Sequence, residues 1–420
     1  MPELFQSLSA CNYWEGPPTE LGLVRPEYLD LLIKATGNSL IKVLVGQRRS
    51  GKSYLFRQLI HHLIVSQHVP PTHIFYLNKE MLEFDSIRTY QDLQALIQLY
   101  EDRIALSSKT YLFLDEIQEI QGWEKAINAF SQNPKKKYEV FITGSNSTLL
   151  SGELASHLSG RYIAFEIAPF SYQEFCLATE QPRSKQSYLA YLQSGGLPEL
   201  FHLHDEEIKR HYVHSLYSTI ILKDIVARHK IKDSHLLETL FKYLANNVGN
   251  LSSIVRIVDT LQSLKMKTNH ETVSSYIQYL MQCFLFHEAE RYDLKGNTIL
   301  SNTKKYYLND LAFKHYFSSG FDPGFSKRLE NAVYLHFKRK GYTLYVGKIG
   351  DQEIDFVAEK GQDKIYVQIA FSLQDEKVAQ REFGNLEKIR DSHKKIVVSL
   401  DDVSFGNRGG IEHVLAWTLV

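Results

Sequence analysis

An eight-residue run, Gly46-Gln47-Arg48-Arg49-Ser50-Gly51-Lys52-Ser53, constrains this chain more than any other segment. It matches the pattern G-x-x-x-x-G-K-[ST] at every fixed position. The apolar run Ile41-Lys42-Val43-Leu44-Val45 precedes it and predicts a buried strand. Ser53 to Ile64 follows, with Leu55, Leu59 and Leu63 on one face, and predicts a helix. Strand, glycine loop and helix together make a phosphate cradle. Loop N–H groups point inward, and the helix N-terminus adds its positive partial charge. Gly46 and Gly51 allow turns that a Cβ would obstruct. Lys52 is placed to reach β- and γ-phosphates, the Ser53 hydroxyl to ligate Mg²⁺, and Tyr54 closes the nucleotide-binding set.

A second strand, Tyr111-Leu112-Phe113-Leu114, runs into Asp115-Glu116. Asp115 at the strand end would hold Mg²⁺, through water or through Ser53. Glu116, one residue further out, would polarise an attacking water. A third strand, Glu139 to Thr143, ends in Gly144-Ser145-Asn146. Ser145 and Asn146 suit the sensing of a γ-phosphate, and they also suit the start of a helix. A helical stretch from Leu149 to Leu158 closes at Gly160-Arg161, before a strand over Tyr162 to Phe165. Arg161 is either an arginine finger for a neighbouring subunit or a surface cation. Asn78-Lys79-Glu80-Met81 begins like the guanine-reading N-K-x-D element but lacks its Asp and lies too early, which favours ATP over GTP.

At 420 residues the chain predicts two to four domains. Lys+Arg 48 and Asp+Glu 48 cancel, so any contact with DNA must rest on local patches. Cys11, Cys176 and Cys283 lie too far apart for a metal site or a disulfide framework. The N-terminus lacks a signal-peptide pattern, and no apolar run approaches the ~18 residues of a membrane span. The expectation is a cytoplasmic protein with no membrane partner.

Gly195-Gly196-Leu197-Pro198 breaks the chain and opens a helical lid with mixed charge from Glu206 to Lys230. Three helices follow, over Leu236–Asn246, Ser252–Leu261 and Thr272–Phe284. The strand Leu285–Ala289, a turn at Lys295-Gly296-Asn297 and the strand Lys305–Leu308 complete a winged-helix outline. Glu271, Ser274, Ser275 and Gln278 face outward on the third helix. Lys265, Lys267, Lys295, Lys304 and Lys305 stand near enough to meet phosphates. The module serves either DNA or protein packing.

From Lys327 the order helix, three strands, helix, strand resembles the restriction-endonuclease-like fold. Such nucleases need an Asp on the second strand and Glu/Gln-x-Lys on the third. Asp355 fills the first role, and Gln368-Ile369-Ala370 fills the second in part, with Ala370 where Lys is required. Glu330 and Asp355 would hold a metal weakly. The expectation is a degenerate module without cleavage activity.

These motifs together resemble a bacterial and archaeal family of AAA+-class P-loop ATPases with a C-terminal region of unassigned function. The matching stretches are VGQRRSGKS, YLFLDEIQEI, ITGSNSTLLS, LSGRY, APFSYQEF, GGLPEL, LKDIVARHKI, NNVGN, KYYLND and EN…EIDF…VQIA. The resemblance implies an α/β P-loop NTPase core with a parallel sheet in the order 5-1-4-3-2. It also implies ATP and Mg²⁺ as ligands, Glu116 as catalytic base and Ser145 or Asn146 as sensor. Arg210 and Arg228 are the candidates for the lid's second sensor.

The expected division is an ATPase core over 1–178, a helical lid over 179–233, a winged-helix-like domain over 234–318 and a nuclease-like domain over 319–420. Two functions compete: an ATP-driven machine acting with nucleic acid, as a ring or as a switch, and a regulatory ATP switch that recruits a protein partner without DNA binding. Self-association is a further expected contact. A metabolic kinase is disfavoured, because the Asp-Glu pair suits water activation.

Overall fold

The computed structural model describes residues 2–104, 109–132, 138–150, 160–317 and 324–419. The chain divides into two compact units, 1–167 and 168–420. Among the described residues no helix is long and apolar enough to cross a membrane.

The first unit is built on a five-stranded parallel sheet. Its strands are β1 (Ile41–Val45), β2 (Ile74–Asn78), β3 (Thr110–Asp115), β4 (Tyr138–Gly144) and β5 (Tyr162–Glu166). They lie in the order β2-β3-β4-β1-β5, the order that the resemblance implies. A parallel sheet is covered on both faces, so its central strands read as unbroken apolar runs. Every residue of β1 and β3 is buried accordingly.

Lys42 is the exception in β1, and its ammonium pairs with Glu139 on β4 and lies over the Phe141 ring. Helices α1 (Pro2–Cys11), α2 (Pro26–Lys34), α3 (Lys52–Val65), α4 (Tyr90–Ile104) and α5 (Trp123–Ser131) complete the unit. The outer edge of β2 is occupied by side chains. Asn12 accepts from Tyr76 N at 2.7 Å and donates to Tyr76 O at 3.0 Å, and the Trp14 indole donates to Ile74 O. Those bonds satisfy backbone groups that a bare edge would leave open.

The expected helix over Leu149–Leu158 falls largely outside the described residues. Ser147–Leu150 forms a single 3₁₀ turn.

The second unit carries an eight-stranded mixed sheet. Its strands are β6 (Phe286–Asp293), β7 (Thr298–Leu308), β8 (Thr343–Ile349), β9 (Gln352–Lys360), β10 (Asp363–Ala370), β11 (Lys394–Ser399), β12 (Asn407–Arg408) and β13 (Ile411–Leu415). Their order is β12-β13-β11-β10-β9-β8-β6-β7. The β6–β7 hairpin, expected as a wing, pairs in parallel with β8 from Arg291↔Val346 to Asp293↔Lys348. Main-chain hydrogen bonds therefore cross the expected border at 318/319.

One hydrophobic core continues through the helices and this sheet, from Phe175 to Ala416. The three expected helices appear at Ser234–Asn246, Ile254–Ser263 and His270–Gln282. Gly195 adopts φ +75°, and a Cβ there would stand 2.1 Å from Asp310 Oδ1. Asp310 is buried and accepts from Gly196 N and Ala312 N, both at 2.8 Å. The glycine pair is thus a packing requirement of this unit.

Candidate nucleotide-binding site

The phosphate loop leaves β1 at its carboxyl end and enters α3 at Lys52. Gly46 has φ +157°, and a Cβ there would sit 2.1 Å from Ile167 O, so no other residue fits without moving that backbone. Gly51 caps α3 in the left-handed region, at φ +95°. The buried Arg25 guanidinium braces the loop. It donates to Ser50 O at 3.0 Å and stacks 4.4 Å from the Tyr28 ring centroid. Gln47, Arg48 and Ser50 are buried, whereas Arg49 is exposed at φ +66° and Tyr54 is exposed on α3.

Lys52 is 4% exposed. Its ammonium donates to Gly46 O at 3.1 Å and Gln47 O at 3.2 Å, and lies 3.7 Å from Glu116 Oε1. The loop thus folds around the cation that a triphosphate would meet. Asp115 ends β3 and receives hydroxyl bonds from Tyr76 at 3.1 Å, from Thr143 and from Ser53. Burial and then the neighbouring Glu116 push its carboxyl above the usual range, and these hydroxyls and Lys52 offset part of that rise.

Glu116 turns left-handed, with φ 54° and ψ 48°. Its N–H donates to Thr143 Oγ1 at 2.9 Å, and the Gln118 amide donates to its carboxylate. Burial pushes this carboxyl up, but Lys52, Arg48 and Gln118 together outweigh burial and hold it below the ordinary value of 4.5. Two adjacent carboxylates are therefore driven apart in acidity, one towards a proton or a cation and one towards a ready base.

Ser145 and Asn146 are both buried at the carboxyl end of β4. Asn146 Oδ1 accepts from Thr148 N at 2.8 Å, a local turn-forming bond. Arg161 is exposed at the opposite end of the sheet. β5 pairs with β1 from Ile41↔Tyr162 to Val45↔Glu166, and the loop follows Val45. At ~3.3 Å per residue, a five-residue strand separates Arg161 from its own loop by roughly 16 Å.

Sequence reasoning missed Thr143, Tyr76, Gln118 and Arg25. The first two sit on strands whose register brings them beside Asp115, and that parallel register leaves no signal in the sequence. Leu114 pairs with Ile142, so Thr143 comes level with Asp115, and Asn78↔Asp115 places Tyr76 nearby.

Asp115 and Ser53 fit a magnesium ion. A buried carboxylate crowded by a like charge gains from a cation, and hydroxyl and carboxylate oxygens are the donors that Mg²⁺ prefers.

The nuclease-like positions behave differently. Glu330 Oε1 accepts from Lys305 Nζ at 2.9 Å and Tyr307 OH at 2.8 Å, and Oε2 accepts from Lys327 at 2.9 Å. Lys305, 1% exposed, also pairs with Glu353 at 2.7 Å. Gln368 accepts from Asp355 N at 2.7 Å and donates to Glu382 at 2.7 Å, while Asp355 Oδ2 accepts from Ile369 N at 2.8 Å. An ammonium, that of Lys305, lies among these carboxylates and balances their charge. Among the described residues no group of three or more His, Cys, Asp or Glu is arranged to hold a metal ion.

Lys305 was expected at a phosphate-contacting surface. It instead points into the core of its unit, because the carboxylates there demand a counter-charge. Lys304 pairs with Glu288 and Glu290.

A family model described as an AAA domain matches residues 38–176, and a domain of unknown function matches 185–323. An uncharacterized protein of Haemophilus influenzae is 36% identical over 401 residues, covering 94% of this chain and 98% of its own length. An uncharacterized protein of Methanocaldococcus jannaschii is 29% identical over 395 residues, covering 90% of this chain and 85% of its own. Among solved structures, a Walker-type ATPase of Pyrococcus abyssi superposes with TM-score 0.48 and 14% identity, over 70% of this chain and 95% of that one.

Proposed function

We propose, because this chain belongs to the same family of AAA-domain proteins as the uncharacterized Haemophilus influenzae protein, that it binds ATP with Mg²⁺ and hydrolyses it. The observation that carries this reading is the convergence of Lys52, Asp115 and Glu116 at the carboxyl ends of β1 and β3, inside a loop that tolerates no Cβ at Gly46. The loop amides and Lys52 bind and orient the triphosphate. Ser53 and Asp115 would hold Mg²⁺, which supplies charge neutralisation across the phosphates. Glu116, ionised and aimed by Thr143 and Gln118, accepts a proton from the attacking water. Ser145, buried beside Glu116, is the residue best placed to orient that water.

Titration calorimetry with ATP in the presence and absence of Mg²⁺ tests the reading. Magnesium-dependent uptake is expected, and Lys52→Ala should weaken it by about 100-fold, the loss of about 2.7 kcal/mol of charge-assisted bonding. No uptake by folded wild-type protein would end the proposal.

A switch that recruits a protein partner is the reading of the second unit that the ion pairs favour. Lys304 and Lys305, two cations expected at a DNA surface, are both engaged by carboxylates. The same calorimeter cell, followed by turnover assays with duplex and single-stranded DNA, separates the two readings. A DNA-stimulated rate that falls steeply with salt would restore the nucleic-acid reading.

A further inference from the structure

We propose that Arg48 supplies, from inside the phosphate loop of its own subunit, the guanidinium that balances charge on the phosphoryl group during transfer. The inference rests on the ATPase reading above and specifies how that site works.

Lys52 fixes where the phosphates would lie. Its ammonium marks the β,γ-phosphate position and bonds Gln47 O, the carbonyl joined directly to the Arg48 nitrogen. Arg48 therefore leaves the main chain within one peptide unit of that ammonium. Its side chain is not an ordinary surface cation. Arg48 is 8% exposed, and its Nη1 is ion-paired with Glu80, just beyond the end of β2. The exposed neighbour Arg49 shows what this loop does with an arginine it does not need inside.

Lys52 lies 3.7 Å from Glu116 and Arg48 pairs with Glu80, so both buried cations of this loop face a carboxylate at the sheet's carboxyl end. Glu80 holds the guanidinium beside the loop where a second anion would arrive. A triphosphate brings up to four negative charges, which the guanidinium's planar fork can bind in bidentate fashion. Arg161 cannot do this work for its own subunit, since it lies at the other end of the sheet.

The transfer step is ordinary hydrolysis. The water oxygen bonds to the γ-phosphorus as the bond from that phosphorus to the bridging oxygen breaks. One water proton passes to Glu116, and ADP leaves carrying the bridging electron pair. Charge accumulates on the equatorial oxygens of the moving group and on that bridging oxygen, and a guanidinium there is worth more in the transition state than in the ground state.

The test compares Arg48→Ala, Arg48→Lys and the double variant Arg48→Ala/Glu80→Ala in single-turnover assays over a range of protein concentrations, beside calorimetric ATP affinity. Arg48→Ala is expected to lose about 100-fold or more in turnover, with affinity within about tenfold, and Arg48→Lys to recover only part, because a point charge lacks the fork. The double variant should stay as slow as Arg48→Ala. ADP with aluminium fluoride, a mimic of the group in transfer, should be trapped by the wild type at its lowest concentration and not by Arg48→Ala.

Recovery in the double variant would overturn the proposal, by showing that the loss came from stranding Glu80. Unchanged turnover in Arg48→Ala would overturn it too, as would a wild-type rate per subunit that climbs with concentration and collapses in Arg161→Ala. A wild type that takes up no ATP sinks the ATPase reading beneath it, and calorimetry distinguishes that failure from the others.

Discussion

Glu116→Gln should take up ATP and Mg²⁺ with nearly wild-type affinity and turn the nucleotide over at least about 100-fold more slowly. The amide is nearly isosteric, so the left-handed turn at φ 54° and the bond from Glu116 N to Thr143 survive the change. What disappears is the negative charge that draws a proton from water. It also removes a like charge beside Asp115, so affinity for the Mg²⁺ complex should hold or tighten.

The pH profile gives an independent check. Lys52, Arg48 and Gln118 hold the Glu116 carboxyl below 4.5 against the opposing effect of burial. A base with a depressed pKa stays ionised as the pH falls, so wild-type turnover should remain level from pH 8 down to about 5.5 for as long as the fold persists. Rapid-quench hydrolysis in parallel with calorimetry reads both quantities. A Gln variant with wild-type turnover would show that another group activates the water, and an acid limb centred near pH 6.5 would show that a group other than Glu116, such as the raised Asp115, limits turnover.

How much of this site was legible in the sequence follows from how local each part is. The loop from Gly46 to Ser53 and the pair Asp115-Glu116 are contiguous, and their chemistry is fixed by residue type and spacing. The sheet order came through the resemblance, since parallel pairing between distant strands leaves no spacing signal. Thr143 and Gln118 are different. They matter because Leu114 lies level with Ile142 and because Glu116 turns left-handed, and neither fact can be read from composition.

The same limit explains the second unit. Lys305 reads as one basic residue in a polar run, and its alternation on β7 does not reveal that the opposite wall holds Glu330 and Glu353. Ala370 stands where the nuclease pattern asks for a lysine. The ammonium that stands near those carboxylates comes from a strand some 65 residues upstream, which the β6–β8 pairing and the Leu308–Asn331 bonds bring close. Strand β12 escaped because two residues carry no period, and β13 because Glu412 and His413 interrupt its apolar run.

Lys305→Met should destabilise the second unit by about 3–5 kcal/mol near pH 8, the cost of removing one partner from a buried ion pair. Burial alone would lower the Lys305 pKa, but Glu330, Asp355 and Glu353 outweigh burial and hold it above its ordinary value. Without that ammonium, Glu330 keeps Tyr307 and Lys327, while Asp355 loses its nearest compensating charge.

Asp355 already stands at about 7, raised first by burial and then by Glu330. An acid whose folded pKa exceeds its unfolded value holds an extra proton in the folded state. Its contribution to stability is therefore complete below the unfolded value near 3.8, declines as pH rises through 7, and levels off beyond. Lys305→Met raises the Asp355 pKa further, so the deficit of the variant should be larger at pH 8 than at pH 5.5.

Hydrogen exchange of β7 and β9 amides, followed by mass spectrometry at the two pH values, isolates this unit from the first. The double change Lys305→Met/Glu330→Leu should regain part of the loss, because it also removes the Glu330 charge that crowds Asp355. Protection factors in the single variant equal to wild type at pH 8 would mean that Lys305 is not the counter-charge holding hairpin, helix and sheet together.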